Sequence, residues 1–264
     1  MSIFEAIFLG IIQGLTEFIP VSSSGHLVLA ERLFGAGHDH LFLEFINIGT
    51  ALALIIYFWP KITDLLEEAI FRRNIALARN ILISALPAGL LGLVLADFIE
   101  SSAFFSNTWV VAIMLLVVGV VMVVLEKLPR LSGVKDGAHM SSNRALGIGL
   151  AQTLALIPGT SRSGSTIIAG RLAGLKPAAA AEYSFLLSIP IMLGVIAKLF
   201  LKSSDREYFV AHMPAVIVGN IFALVSGLIA VGFLMRYLAK NNLAVFGWYR
   251  IVLSVVVIGV LLLQ

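Results

Sequence analysis

Pro158-Gly159-Thr160-Ser161-Arg162-Ser163-Gly164-Ser165-Thr166 sits inside an otherwise apolar stretch, residues 144–176. A second polar knot, Glu17-Phe18-Ile19-Pro20-Val21-Ser22-Ser23-Ser24-Gly25-His26, interrupts residues 3–34 in the same way. Neither stretch reads as a comfortable membrane span, because glycine, proline and charge break it near its centre. Irregular backbone at membrane depth persists only where protein or a water-filled cavity satisfies its polar groups. Both stretches are therefore predicted to be re-entrant helix hairpins with the knots at their tips, and a plain broken span is the competing reading.

Outward from the knots the chain is apolar almost throughout. Of its 264 residues, 59% are hydrophobic and 12% charged. Soluble domains carry about 25% charged residues, and the mean hydropathy of +1.02 fits no ordinary water-soluble core. Six stretches are long enough to cross about 30 Å of hydrocarbon, roughly 42–60, 78–97, 107–126, 181–200, 214–236 and 245–264. The expected fold is an all-α polytopic membrane protein, one membrane domain over 1–264 with no soluble domain attached. The net charge of +3 comes from Lys and Arg in short loops, which read as topology signals and not as nucleic-acid contacts. With no cysteine in the chain, disulfides, thiolate nucleophiles and zinc–thiolate sites are excluded. No cleavable signal peptide is expected, since the first apolar stretch begins at Ile3 without a basic lead-in and contains Glu5 and Glu17.

The two halves resemble each other. Gly10, Gln13 and Leu15 match Gly149, Gln152 and Leu154; Ile19-Pro20 matches Ile157-Pro158; Ser24-Gly25 matches Ser163-Gly164; Glu44-Phe45 matches Glu182-Tyr183; Trp109 matches Trp248. Each pair is separated by 138 or 139 residues. Repeat 1 then covers about 1–130 and repeat 2 about 140–264, each holding one hairpin and three spans. Three is odd, so the second half enters the membrane from the opposite side. This inverted-topology repeat is known from transporters, where the functional site lies near the midplane at the repeat interface. The loops after the first, third and fifth spans carry most of the Lys and Arg and are assigned to the cytoplasm. Both termini then lie outside, hairpin 1 enters from outside, hairpin 2 enters from the cytoplasm, and the two knots meet inside the bilayer.

The second knot reads as a phosphate cradle. Gly159 and Gly164 permit tight turns in which successive N–H groups converge on an anion. Arg162 adds a planar donor fork suited to phosphate oxygens. Ser161, Ser163, Ser165 and Thr166 add hydroxyl donors, and the helix that follows aims its N-terminus at the same point. Small residues also let helices pack closely, but that reading leaves Arg162 without a reason. An arginine at membrane depth costs about 2.5–3.5 kcal/mol on insertion scales and marks function by default. In the first knot Glu17 needs a partner: Arg162, a divalent cation or His26. A serine of Ser22-Ser23-Ser24 attacking phosphorus with His26 as general base, direct attack by His26, and water activated by His26 and Glu17 are all open at this point. Gln13, four residues before Glu17, shares its helix face.

Gln13 to His26 resembles the first signature of the bacitracin-resistance family of undecaprenyl-pyrophosphate phosphatases, and Pro158 to Thr166 resembles the second. The likeness extends through Asn47-Ile48-Gly49-Thr50-Ala51-Leu52-Ala53 and Tyr183-Ser184-Phe185-Leu186-Leu187-Ser188-Ile189-Pro190, so it covers nearly the whole chain. The resemblance implies a multi-pass hydrolase of the bacterial inner (cytoplasmic) membrane. Its substrate would be undecaprenyl pyrophosphate among membrane lipid, converted to undecaprenyl phosphate to recycle the carrier of peptidoglycan precursors, and its overproduction would confer bacitracin resistance. It implies magnesium or calcium as cofactor and catalysis by Glu17, Ser23, His26 and Arg162. The expected phosphate-binding set is Gln13, Ser22, Ser24, Gly159, Thr160, Ser161, Ser163, Gly164 and Thr166. Gln13 stands where the family has Glu or Gln, so one carboxylate fewer is on offer and the expected metal rests on Glu17 and the pyrophosphate itself. A transporter or lipid-carrier flippase is the rival class. Oligomeric state is left open, with a homodimer among the options.

Overall fold

A computed structural model describes residues 2–34, 39–105, 107–128 and 133–263. In chain order the helices are α1 (Ile3–Phe18), α2 (Ser23–Phe34), α3 (His40–Phe45), α4 (Asn47–Tyr57), α5 (Trp59–Ile70), α6 (Ala76–Val94), α7 (Ala96–Ser101), α8 (Thr108–Leu125), α9 (Ser142–Thr153), α10 (Arg162–Leu172), α11 (Pro177–Leu201), α12 (Ser203–Ala211), α13 (Met213–Leu238) and α14 (Ala244–Leu262). Short 3₁₀ turns cover Gly137–His139 and Leu154–Leu156. Among the described residues the only β pairing is one isolated bridge, Val134 with Leu175.

Six helical segments are long and apolar enough to cross a membrane: His40–Tyr57, Ala76–Val94, Thr108–Leu125, Pro177–Leu201, Met213–Leu238 and Ala244–Leu262. At 1.5 Å per residue these give roughly 27–39 Å of helix, which matches the hydrocarbon thickness. All six fall on the stretches predicted from hydropathy. The first is broken at Ile46, between α3 and α4. The polar connection after it is helical rather than loop: α5 starts with Trp59-Pro60 and buries none of its residues. Proline is at home at that position because its missing N–H would have had no partner anyway.

Large apolar side chains cover the outside. Leu82, Val94, Ile229, Val252 and Leu262 are all more than half exposed, as expected of a surface solvated by lipid. Lipid is as apolar as leucine, so packing between these helices depends on close fit rather than on hydrophobic burial. Where α8 crosses α14, a Cβ on Gly119 would meet the Gly247 carbonyl at 2.8 Å, and a Cβ on Gly247 would meet the Gly119 carbonyl at 2.7 Å. A methyl at either position would force the two helices to shift. The remaining helices pair off in an ordered way: α1 packs on α13 and α9 on α6, α4 packs on α13 and α11 on α6, and α8 and α14 pack on each other.

Candidate active site

Both polar knots are turns between helices, and they are built alike. Helix α1 stops at Phe18 because Pro20 cannot continue it. The chain closes a tight turn with the Val21 N–H donating to the Ile19 carbonyl at 2.7 Å, then restarts as α2 at Ser23. In the second knot the Leu154–Leu156 turn runs into Ile157-Pro158, the Thr160 N–H donates to the Ile157 carbonyl at 3.2 Å, and α10 starts at Arg162. The residue before each restart has positive φ, 76° at Ser22 and 72° at Ser161. Non-glycine residues in that region are uncommon and gather at functional sites. Each of these serines caps the helix it precedes. The Ser22 Oγ accepts from the Gly25 N–H (3.4 Å) and the Ser161 Oγ from the Gly164 N–H (3.1 Å). Each also lies 3.1 Å from the hydroxyl two residues on, Ser24 or Ser163.

The two turns meet. The Gly159 N–H donates to Ser24 Oγ at 3.3 Å, and Ser163 Oγ donates to the Glu17 carbonyl at 3.2 Å. Gly159, with φ of 88°, lies so close to the Val111 backbone that no side chain fits. Glu17 forms the centre of the junction. Arg162 Nη2 donates to its Oε1 at 2.5 Å and Ser23 Oγ donates to its Oε2 at 2.7 Å. Gln13 Nε2 bridges Glu17 Oε2 (3.0 Å) and Asn47 Oδ1 (2.7 Å). The ion pair is mostly shielded, with Arg162 16% and Glu17 12% exposed. Ser23 and Arg162 are the first residues of their helices, 139 residues apart and so within the 138–139 offset of the matched pairs, and each takes one oxygen of the same carboxylate. The backbone N–H groups of Ser23, Ser24, Arg162 and Ser163 meet no acceptor among the described residues. Two helix N-termini thus converge on one spot, each with unpaired amides and a favourable dipole for an anion.

His26 is placed differently from expectation. Its Nδ1 lies 2.8 Å from the Ser22 carbonyl, which can only accept, so Nδ1 carries the proton. Nε2 of the neutral ring then accepts from the Tyr249 hydroxyl at 2.7 Å, and the two rings stack 4° from parallel. Neither nitrogen touches a serine hydroxyl; of the arrangements left open from sequence, a direct serine–His26 hydrogen bond is not formed, and Ser23 donates to Glu17 instead. One member of the expected phosphate set points elsewhere: Thr166 Oγ1 donates to the Arg162 carbonyl (2.8 Å) and lies 2.6 Å from Ser184 Oγ on α11. Thr160 Oγ1 is buried and meets no partner among the described residues.

Three residues of this neighbourhood escaped the sequence reading. Asn47 opens one of the stretches that carry the resemblance, with no site role read from it, and Tyr249 looks like an interfacial aromatic. Arg250 does give a signal, as a charge in the apolar run 244–262, and it is the largest fully buried side chain among the described residues. A divalent cation finds little here. Among the described residues no three His, Asp or Glu side chains gather as a metal site, and both Glu17 oxygens are already taken by Arg162, Ser23 and Gln13.

The model of the bacitracin resistance protein BacA family matches residues 6–256. The chain is 39% identical over 259 residues to the undecaprenyl-diphosphatase of Halothermothrix orenii, covering 98% of each chain. It is 38% identical to undecaprenyl-diphosphatase 1 of Clostridioides difficile (98% and 96% covered) and 36% identical to the undecaprenyl-diphosphatase of Enterococcus faecalis (98% and 97% covered).

Proposed function

The chain belongs to the bacitracin resistance protein BacA family, and from that premise we propose that it hydrolyses undecaprenyl diphosphate to undecaprenyl phosphate and inorganic phosphate. That reaction recycles the lipid carrier for peptidoglycan synthesis and underlies bacitracin resistance. The observation that carries this reading is the junction itself: Ser23 and Arg162, at the starts of two converging helices, both bound to Glu17.

The Glu17 carboxylate holds the Arg162 and Ser23 side chains, and the amides at the two N-termini stay open beside it. The terminal phosphate of the diphosphate docks at those open amides while Ser23 stays on Glu17. Arg162 turns from Glu17 to the phosphate oxygens, joined by the open amides of Ser23, Ser24, Arg162 and Ser163. These donors hold the charge that develops on the phosphoryl oxygens during transfer, and such preorganised stabilisation commonly lowers the barrier more than any other single effect. The Ser23 oxygen attacks the terminal phosphorus while its proton passes to Glu17 Oε2. As the new O–P bond forms, the bond from phosphorus to the bridging oxygen breaks, and undecaprenyl phosphate departs with that oxygen. Glu17 passes its proton to the departing phosphate oxygen and, again a carboxylate, takes one from the incoming water; the water oxygen bonds to phosphorus as the Ser23 O–P bond breaks, Glu17 returns the proton to Ser23, and inorganic phosphate leaves. Ser23 rather than His26 is the nucleophile here, because Ser23 has a proton acceptor in hand and both His26 nitrogens are engaged. His26 fixes Ser22, and with it the capped turn that presents Ser23.

The side chains present do not build a divalent-cation cage. Magnesium or calcium, which the resemblance implies, would find Glu17 as its acidic ligand here and would supply neutralising charge to the diphosphate, and no step above runs through it. In the same reading α1–α2 and α9–α10 are re-entrant hairpins of an inverted repeat in the bacterial cytoplasmic membrane. The packing supports this, since α1 on α13 mirrors α9 on α6, α4 on α13 mirrors α11 on α6, and α8 on α14 maps onto itself.

The test is phosphate release from undecaprenyl diphosphate by purified protein in detergent, beside lipid flipping in vesicles. Folded protein that flips the lipid and releases no phosphate belongs to the transporter class instead.

A further inference from the structure

We infer that Arg250 is a positioning residue that holds the two catalytic turns in register from behind, an inference that rests on the hydrolase reading above. Its guanidinium is fully buried in α14 and reaches the backbone of three separate parts of the chain. Nη1 donates to the Pro20 carbonyl at 3.3 Å. Nη2 donates to the carbonyls of Gly159 (2.7 Å), Thr160 (3.1 Å) and Met114 (3.3 Å). Nε donates to the Leu115 carbonyl at 3.4 Å. Pro20 belongs to the first turn, Gly159 and Thr160 to the second, and Met114 and Leu115 to α8. One rigid planar fork therefore spans the junction between two halves of the chain.

The acceptors are all carbonyls. Among the described residues no carboxylate pairs with Arg250, so this is not a buried salt bridge in which charge neutralises charge. The arrangement also has a direction. In a trans peptide the C=O and the following N–H point opposite ways. With the Thr160 carbonyl turned to Arg250, the Ser161 N–H points away from it. Next to Ser161 stand Arg162 and Ser163, whose N–H groups remain open at the junction. The guanidinium thus sets the orientation of the second turn while tying it to the first. Helix α14 is itself fixed against α8 at the Gly119–Gly247 crossing, one turn before Arg250, and by Ser254 Oγ donating to the Ala112 carbonyl at 2.7 Å. The clamp therefore stands on a packed frame.

Arg250→Lys tests geometry against charge. Lysine keeps the charge and loses the fork, so it cannot hold both turns at once. Purified Arg250→Lys protein should melt as a single folded species and release phosphate from undecaprenyl diphosphate with kcat lower by about a hundredfold, the scale of a misplacement near 1 Å. KM should stay within about threefold, because the diphosphate-binding groups are still present. Combined with Arg162→Lys, the two losses should be far from multiplicative, since both act through the same turn. Wild-type kcat in Arg250→Lys, or a lower melting temperature with unchanged kcat, overturns the inference and leaves the hydrolase reading intact. Failure of the wild type to release phosphate sinks that reading first. If Arg250→Lys does not fold, Gly247→Ala displaces the guanidinium without removing it, because its added methyl meets the Gly119 carbonyl. A kcat loss of tenfold or more is expected there, and wild-type kcat overturns the inference.

Discussion

The turn at residues 19–22 and the turn at residues 157–161 share their start and their capped end, and differ in length by one residue and in chemistry. Each follows an Ile-Pro pair, passes through a serine with positive φ, and opens a helix capped by that serine. Each places a second serine hydroxyl 3.1 Å from the first. The difference lies in the residues that the scaffold presents. At the first helical position one turn has Ser23 and the other Arg162; at the end of α1 stands Glu17, and His26 follows one turn into α2. A single scaffold used twice thus supplies a hydroxyl from one side and a guanidinium from the other, with one carboxylate between them. On the reading proposed above, the lesson is that a turn used twice serves catalysis only where its two copies differ. Two identical copies would offer two arginines with nothing to attack, or two serines with nothing to hold charge.

That asymmetry can be broken experimentally. The largest effect is expected for Arg162→Ala, which removes the charge from the second turn: phosphate release should fall by about 10³-fold or more while the protein still inserts and purifies. Turnover near wild type in detergent would refute the central assignment. Ser23→Ala should be comparably inactive and should form no phosphoserine, detectable by mass spectrometry of quenched wild-type reactions. Substantial residual rate would return the nucleophile to His26 or water. Glu17→Gln keeps the shape and loses the proton acceptor, so kcat should drop by about 10²–10⁴-fold. Gln13→Ala removes the bridge from Asn47 to Glu17, and about tenfold is expected from one lost hydrogen bond to a charged group. Smallest of all, Ser24→Ala and Ser163→Ala each delete one hydroxyl that joins the turns. Each should cost about 0.5–1.5 kcal/mol in a thermal or denaturant melt, and similar losses in both would support the symmetry of the scaffold.

Much of this site was legible in the sequence because charge is expensive at membrane depth. Glu17 and Arg162 stood out in apolar surroundings, and the 138–139 residue offset implied that their knots belong together. Arg250 carried the same signal in 244–262 and passed as part of a span. Its targets are backbone carbonyls, which every residue has, so no pattern of residue types could reveal them. A direct Ser23–His26 hydrogen bond is not formed, for a local reason. Three residues apart on a helix looks like contact, but His26 Nδ1 finds the carbonyl one turn back at Ser22, while Ser23, the first helical residue, turns toward Glu17. Thr166 read as a phosphate ligand because it lies in the knot; one turn into α10, it faces Ser184 on α11 instead.

By itself the sequence determined the six apolar helices, the two interrupted stretches and the charged residues that need partners, since span length, helix breaking by proline and the cost of desolvation are properties of local chain composition. Tertiary structure decided which oxygen of Glu17 each partner takes, which tautomer His26 holds and what Arg250 clamps. The Arg162–Glu17 pair and the Arg250 contacts join segments 90 to 230 residues apart, Ser23 and the Nδ1 of His26 find partners within one turn or two, and a hydrogen bond lost or gained over 1 Å leaves no trace in the order of the residues.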